Sequence, residues 1–238
     1  MLDNYVAIDL EMTGLNAKTD AIVEVGAVRV RMGKAADTYE ALLQCDRALP
    51  TKVTELTGIT EAMVQQGRRA QEAMVEFFDF LGDDILVGHN VIFDYSFLKQ
   101  WAVNHAASFE RSAVDTLKLA RKFLPSEQKK DLESLCTCFA VERGSSHRAL
   151  DDALGAWKIL EYLKKIYGEE RAEEFAPQPL VYKAKKQTPA TRRQKEYLEK
   201  YAAHHKIVLP QSLDALTRSE ASRLTDQLIA QYGKMPRP

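Results

Sequence analysis

Apolar positions in the first two thirds of the chain form short runs that alternate with longer stretches of helical spacing. The runs predict five strands, at residues 5–10, 22–30, 38–43, 85–87 and 113–115. The stretches predict helices at residues 50–56, 70–81, 92–105, 131–139 and 149–167, with another that ends at residue 123. Short turn-like links join the first three runs, which is typical of an antiparallel meander, whereas helices separate the later ones. We therefore predict an α/β fold, a mixed five-stranded sheet flanked by helices.

The last quarter of the chain has a different pattern. Residues 176–188 are rich in Pro and Lys and show little periodicity, which predicts a linker. After it, residues 191–205 have helical spacing, and residues 217–220 are a capping box that opens a second helix. The predicted organisation is one domain over residues 1–175, the linker, and a small basic helical module over residues 189–238.

Composition excludes several classes of protein. The chain has 238 residues, of which 45% are apolar and 28% charged, so collagen, mucin and wholly disordered chains are excluded. No apolar run reaches about 18 residues, and the N-terminal segment lacks the basic region and apolar core of a signal peptide. The three cysteines, Cys45, Cys136 and Cys138, argue against a disulfide framework, and the last two are too close together for the usual zinc-binding spacing. We therefore expect a protein of the reducing cytoplasm without a membrane span.

Charge is distributed unevenly along the chain. Residues 182–238 hold twelve Lys and Arg against five Asp and Glu, whereas residues 1–181 hold 21 against 29. A basic appendage on an acidic body suits a polyanionic partner, although a merely well-solvated helical tail has the same composition. The residues that we predict to contact a nucleic-acid backbone are Lys183, Lys185, Lys186, Arg192 and Arg193. For the neighbouring Tyr197 and Tyr201, we favour packing in a two-helix core over stacking on a base.

Acidic residues carry the main candidate chemistry. Asp9 and Glu11 are two apart on the first predicted strand, so both point to one face of the sheet. No Arg or Lys lies in the flanking sequence to pair with them, which favours a bound cation. Asp94 lies in the first turn of the helix after the fourth strand, where a carboxylate alone is explained by the helix dipole.

A third acidic group follows a histidine. His147 precedes the helix that carries Asp151 and Asp152, and on an ideal helix His147 and Asp151 would share a face. Acids from separate elements at one end of a sheet suggest Mg²⁺ or Mn²⁺, and two such ions about 4 Å apart can assist phosphoryl transfer. A histidine with an ordinary pKa of about 6.5 can accept the proton of the attacking water.

Three segments resemble, in order, the exonuclease motifs of the DEDDh family of 3′–5′ exonucleases. They are VAIDLEMTGL at residues 6–15, GHNVIFDYSFL at residues 88–98 and HRALDDA at residues 147–153. Between them, IVEVGA at residues 22–27 and LTGIT at residues 56–60 resemble other segments of the family. The resemblance covers roughly residues 3–168 and is strongest to the DnaQ-like branch, the proofreading epsilon subunit of bacterial DNA polymerase III.

The resemblance implies an RNase H-like fold and a metal-dependent 3′→5′ exonuclease that releases nucleoside monophosphates from single-stranded or frayed DNA. It implies two divalent cations, Mg²⁺ or Mn²⁺, held by Asp9, Glu11, Asp94 and Asp152, with His147 as general base. The spacing of the family thus selects Asp152, whereas helix geometry alone selects Asp151. The substrate contacts that it implies are Met12, Thr13, Gly14, Leu15, Asn90 and Phe93. Met12 departs from the family, which often has Thr or another small residue there, and His89 has either a cleft role or a role in turn packing.

Two further functions stay open at this point. One is a 3′–5′ exoribonuclease that trims RNA, because discrimination of the 2′-hydroxyl depends on cleft contacts. The other is a non-catalytic docking module held by a polymerase, against which the complete set of acids argues. The implied partners are a nucleic acid with a free 3′ end and a DNA polymerase subunit.

Overall fold

The first unit of the chain is a mixed sheet covered by helices on both faces. The computed structural model describes residues 2–142, 144, 147–209 and 212–235. The strands are β1 (Tyr5–Met12), β2 (Ile22–Arg31), β3 (Lys34–Leu42), β4 (Leu86–Gly88), β5 (Ser112–Asp115) and β6 (Gln178–Pro179). The helices are α1 (Thr51–Thr57), α2 (Glu61–Gln66), α3 (Ala70–Leu81), α4 (Ile92–Asn104), α5 (Thr116–Phe123), α6 (Leu132–Cys138), α7 (Ala149–Tyr167), α8 (Arg192–His205) and α9 (Arg218–Tyr232), with 3₁₀ turns at Ala172–Phe175 and Leu213–Ala215.

The sheet has the strand order β3-β2-β1-β4-β5-β6. Strands β1, β2 and β3 form the predicted antiparallel meander, and β1, β4 and β5 run parallel through helical crossovers. The predicted mixed α/β architecture is therefore confirmed, and all five predicted strands are present.

The sixth strand corrects two predictions. Gln178 and Pro179 pair antiparallel with β5, and Leu180 is buried in the core of the same unit. The sheet therefore has six strands rather than five, and the segment predicted as a linker from residue 176 begins inside the sheet domain. A two-residue edge strand that contains Pro has no apolar period to detect, and an edge position tolerates the missing N–H of Pro.

Alternation along β1 divides the core into two layers. Val6, Ile8 and Leu10 pack with α3 and α4 on one face of the sheet. Tyr5 and Ala7 pack with α7 on the other face. Because side chains alternate along a strand, Asp9 and Glu11 lie on the face that α7 covers.

Helix α7 lies very close to β2. A Cβ atom on Gly26 would lie 2.2 Å from the backbone of Ala149 and Leu150, at the start of α7. Only glycine leaves room for this approach. Gly26 is paired with Asp9 across the β1–β2 ladder, so the start of α7 lies over the acidic part of β1.

The second compact unit comprises Asp46–Ala48 and the residues from Lys185 onward, whereas the first comprises Leu49–Ala184 and the residues up to Cys45. Helices α8 and α9 both begin with capping boxes, at Thr191–Gln194 and Thr217–Glu220. Tyr201 is 1% exposed, and its hydroxyl lies 2.9 Å from the carbonyl oxygen of Leu228, so this tyrosine packs in the core of the unit. No helix in the described part of the chain is long and apolar enough to cross a membrane.

Candidate active site

The cleft opens where β1 extends beyond its neighbour β4. These strands pair only through Val6 and Ala7, and β4 ends at Gly88. Among the described residues, no strand pairs with this edge of β1 beyond that point, and the N–H of Leu10 donates instead to Oδ1 of Asp94 at 3.2 Å. Asp94 lies in the first turn of α4, which follows β4 directly, so the short strand brings this carboxylate to β1.

Helix α7 and the turn before it supply Asp152 and His147 from the opposite face. One ligand atom each of Glu11, His147 and Asp152 lies within 4.8 Å of the other two. Asp9 on β1 interacts electrostatically with Asp94, Asp152 and Glu11. The structure therefore brings together all five residues that the sequence predicts as catalytic.

The turn before α7 decides which aspartate reaches the cleft. His147 has a φ of 58°, in the left-handed region, and α7 begins only at Ala149. The spacing rule for an ideal helix therefore does not apply to His147. Asp152 is 7% exposed, lines the cleft and accepts from the N–H of His147 at 3.3 Å. Asp151 does not line the cleft; its carboxylate lies beside Gly144, 2.4 Å from the position of a Cβ there.

The acids raise one another's pKa values. Burial, followed by the charges of Asp94 and Asp152, raises the pKa of Asp9 well above its ordinary value. Burial, followed by the charges of Asp152 and Glu24, raises the pKa of Glu11 to about 8. Burial also raises the pKa of Asp94 to about 8, although hydrogen bonds from its own N–H and that of Leu10 oppose this. The donor set consists of crowded carboxylate oxygens, which fit hard divalent cations.

This crowding predicts how stability depends on pH. A carboxyl group with a raised pKa keeps its proton longer in the folded chain than in the unfolded one. The free energy of unfolding of the metal-free protein should therefore fall as pH rises from about 4, the unfolded value, to about 8, the value of Glu11 and Asp94. Unfolding midpoints in EDTA at pH 6, 7, 8 and 9 would measure this.

Added Mg²⁺ should raise the midpoint more at pH 9 than at pH 6, because cations compete with protons for the same oxygens. Asp94→Asn is the matched variant and should flatten the pH dependence. A metal-free midpoint that rises between pH 6 and pH 8, with no response to Mg²⁺, would contradict the prediction.

The cleft has a volume of about 430 Å³. All of the predicted substrate contacts line it: Met12, Thr13, Gly14, Leu15, Asn90 and Phe93. The sequence analysis missed a further group of lining residues in and next to α1: Pro50, Lys52, Val53, Leu56 and Thr57. Apart from the charge of Lys52, these residue types carry no distinctive chemistry, and the signal in the sequence was the family-like segment at residues 56–60.

Two apolar side chains project at the cleft. Leu15 is 84% exposed and Leu56 is 54% exposed, and both line the cleft. The loop that carries Leu15 is held in place because Oγ1 of Thr13 accepts from the N–H of Ala21 at 3.0 Å. Exposed apolar groups next to buried acids suit the flat face of a base more than a phosphate. Met12, by contrast, is mostly buried in the core beside the cleft.

The two other polar residues of the second motif differ in role. Both ring nitrogens of His89 are engaged, Nδ1 with Oγ1 of Thr116 at 3.0 Å and Nε2 with the carbonyl oxygen of Lys130 at 2.7 Å. These contacts favour the packing role for His89. Asn90 has a φ of 69°, and its backbone N–H donates to Oδ1 of Asp115. The side chain of Asn90 is exposed and lines the cleft.

Five basic residues of the C-terminal region are the remaining predicted contacts. The set is exposed throughout and comprises Lys183 in the first unit and Lys185, Lys186, Arg192 and Arg193 in the second. Arg192 pairs with Glu196 at 2.7 Å. Arg193 and the half-buried Tyr197 line a groove of about 390 Å³ between α8 and α9.

The fold and the acidic cleft define an RNase H-like nuclease domain. The chain belongs to the RNase_T exonuclease family, which it matches over residues 6–160. It is a DnaQ-like 3′–5′ exonuclease domain, related to the epsilon subunit of DNA polymerase III, and the predicted family is thereby confirmed.

Individual relatives agree with this assignment. The chain is 37% identical over 169 residues to the DNA polymerase III subunit epsilon of Aquifex aeolicus. The matched region covers 69% of this chain and 84% of that protein. It is 34% identical to a PolC-type DNA polymerase III of Clostridium perfringens over 71% of this chain, but spans only 12% of that protein's length. The solved structure of exonuclease X in complex with 5′ overhanging duplex DNA has a TM-score of 0.58 and 27% identity, covering 72% of this chain and 96% of that one.

Proposed function

We propose that this protein is a metal-dependent 3′→5′ exonuclease that releases nucleoside monophosphates from single-stranded or frayed 3′ ends of DNA. The observation that carries the proposal is the convergence of four carboxylates and His147 in one cleft with an apolar rim. The choice of DNA is supported by the relation to the polymerase III epsilon subunit and to a nuclease solved with duplex DNA.

Asp9, Glu11, Asp94 and Asp152 would hold two divalent cations, Mg²⁺ or Mn²⁺. When bound, such ions lower the pKa of the attacking water and neutralise the charge that develops on the phosphorus centre. Burial and the mutual repulsion of these carboxylates raise the pKa values of Asp9 and Glu11, so a bound cation is the natural source of neutralisation.

The chain's own residues orient the reaction. His147 accepts the proton of the attacking water, and the hydrogen bond from its N–H to Asp152 holds the left-handed turn that aims it into the cleft. Leu15, Leu56 and Phe93 offer apolar surface on which the terminal bases stack. Stacking keeps the 3′-terminal phosphodiester beside the carboxylates.

The decisive experiment is a time course on 5′-labelled single-stranded DNA and on RNA of the same sequence, with Mg²⁺, Mn²⁺ or EDTA. We expect a 3′-shortening ladder on DNA that requires metal and His147, tested with His147→Ala. A faster ladder on RNA would replace DNA by RNA as the substrate. No shortening of either strand by folded protein supplied with metal would contradict catalysis and favour a docking module.

Lys52 is predicted to contact a substrate phosphate, because it is the only Lys or Arg among the described residues that line the cleft. Lys52→Ala should raise KM several-fold, leave kcat near wild type, and reduce the slope of log affinity against log salt by about 0.7 to 1. Lys34→Ala, at the start of β3 and outside the cleft, is the control. An unchanged salt slope for Lys52→Ala would contradict the predicted contact between Lys52 and a substrate phosphate.

The exposed basic segment is proposed as a second, sequence-independent contact with the nucleic-acid backbone. Its members are Lys183, Lys185, Lys186, Arg192 and Arg193. Replacing all five by Ala should weaken binding of long single strands and lower the salt slope, with little effect on strands too short to leave the cleft. Equal affinity of this variant and the wild type for long strands would show that the segment is only a solvated surface.

A DNA polymerase subunit is proposed as a protein partner, because relatives of this chain include a polymerase III epsilon subunit and a PolC-type polymerase III, of which the chain matches a segment. Co-elution of the purified chain with the polymerase subunit of the same cell would support this, and separate elution at micromolar concentrations would oppose it.

A further inference from the structure

An ion pair between the buried Glu24 and the partly exposed Arg148 lies beside the candidate active site. Glu24 on β2 is 0% exposed, and its Oε1 accepts from Nη2 of Arg148 at 2.6 Å and from Nε at 3.0 Å. Its Oε2 accepts from the N–H of Ala149, the first residue of α7, at 2.9 Å. The carboxylate of Glu24 is therefore committed to the turn that begins α7.

Backbone contacts connect that turn to two cleft residues, His147 before α7 and Asp152 in its first turn. Arg148 follows His147 directly, and the carbonyl oxygen of Arg148 accepts from the N–H of Asp152 at 2.9 Å. Asp152 in turn accepts from the N–H of His147. A displacement of Arg148 would therefore move the general base and one carboxylate together.

The sheet register ties the same pair to β1. Glu24 is the cross-strand partner of Glu11, and two residues further along β2 the backbone of α7 meets Gly26. Glu24 and Gly26 point to the same face of the sheet, so they position the start of α7 at two neighbouring points. Both residues pair with β1, Glu24 with Glu11 and Gly26 with Asp9.

Packing alone does not account for a carboxylate at residue 24. Glu24 adds negative charge next to Glu11 and Asp9, whose pKa values it raises. Burying a charge such as that of Glu24 in an ion pair is weak evidence for stability, because apolar residues of similar volume are often as good, and the better-attested use of such a pair is to select one arrangement. The bidentate geometry of Arg148 supplies such selection.

We infer that Glu24 and Arg148 are positioning residues that align His147 and Asp152 with the acids of β1, and that they act on turnover rather than on substrate binding. The inference rests on the proposed nuclease function for its kinetic test. Neither residue lines the cleft.

The test compares Arg148→Lys and Arg148→Met with the wild type, in kinetics on single-stranded DNA and in calorimetric titration of the metal-free protein with Mn²⁺. We expect kcat to fall about 10- to 100-fold, as for other residues that orient metal ligands, with KM for DNA within about twofold of wild type. Mn²⁺ affinity should also fall, less in Arg148→Lys than in Arg148→Met, because Lys keeps the charge although it loses the bidentate contact. Glu24→Gln should lie between wild type and Arg148→Met, since Gln still accepts from Ala149.

Arg31→Met is the matched control. Arg31 lies at the far end of the same strand and forms a comparable 2.6 Å ion pair with Asp84. The control should keep wild-type kcat and Mn²⁺ affinity. Wild-type kcat and Mn²⁺ affinity in folded Arg148→Met would overturn the inference, as would an equal loss in Arg31→Met.

The two proposals fail in different ways. If the wild type hydrolyses no nucleic acid, the proposed function fails, and the Mn²⁺ titration alone still tests the positioning role. If Arg148→Met does not fold, the same criteria apply to Arg148→Lys.

Discussion

Asp152→Asn is expected to abolish 3′-end shortening, whereas Asp151→Asn, one residue earlier, should retain activity close to wild type. Asp152 is buried in the cleft, within 4.8 Å of Glu11 and His147, while Asp151 lies outside it beside Gly144. Loss of the Asp152 charge would remove a proposed metal ligand and leave a weaker, uncharged acceptor for the N–H of His147. We expect kcat to fall about 100-fold or more, as for removal of a major electrostatic stabiliser.

The two variants are well matched, because they make the same chemical change in the first turn of the same helix. Both should be compared by initial rates on labelled single-stranded DNA and by circular dichroism, which checks that α7 is intact. Excess Mn²⁺ should restore part of the activity of Asp152→Asn if the lost function is metal binding. The opposite ranking of the two variants would move the predicted ligand to Asp151.

Asp9→Asn should have an equally large effect on activity and the opposite effect on stability. Asp9 interacts with all three other acids of the cleft, and these charges, together with burial, raise its pKa well above its ordinary value. The amide removes one charge from this cluster, so metal-free Asp9→Asn should unfold at a higher temperature than the wild type at pH 8. Hydrolysis should fall by about 100-fold or more because a proposed metal ligand is lost.

Thermal unfolding in EDTA at pH 8 and initial rates with Mg²⁺ measure the two effects on one preparation. Near pH 5, where the wild-type cluster is largely protonated, the gain in unfolding temperature should shrink. Saturating Mg²⁺ should stabilise the wild type more than the variant. A variant less stable than the wild type in EDTA would show that the carboxylate of Asp9 is needed for the fold itself.

Much of the fold followed from local pattern. The run at residues 5–10 and the Val-rich run at residues 22–30 predicted β1 and β2, because a strand buried on both faces consists of nearly continuous apolar residues. Strand β6 was not predictable in this way. It pairs with β5 only because the returning chain meets an open edge of the sheet.

The sequence by itself determined which chemistry this protein could carry. The period of a strand placed Asp9 and Glu11 on one face, and the order of three motifs identified the family and the candidate acids. Tertiary structure decided the rest. The left-handed turn at His147 selected Asp152 over Asp151, and α1 brought Lys52 and Leu56 to the cleft. Register and packing joined Glu24 to Arg148, 124 residues later. Such choices depend on contacts between distant segments, which local periodicity and spacing do not encode.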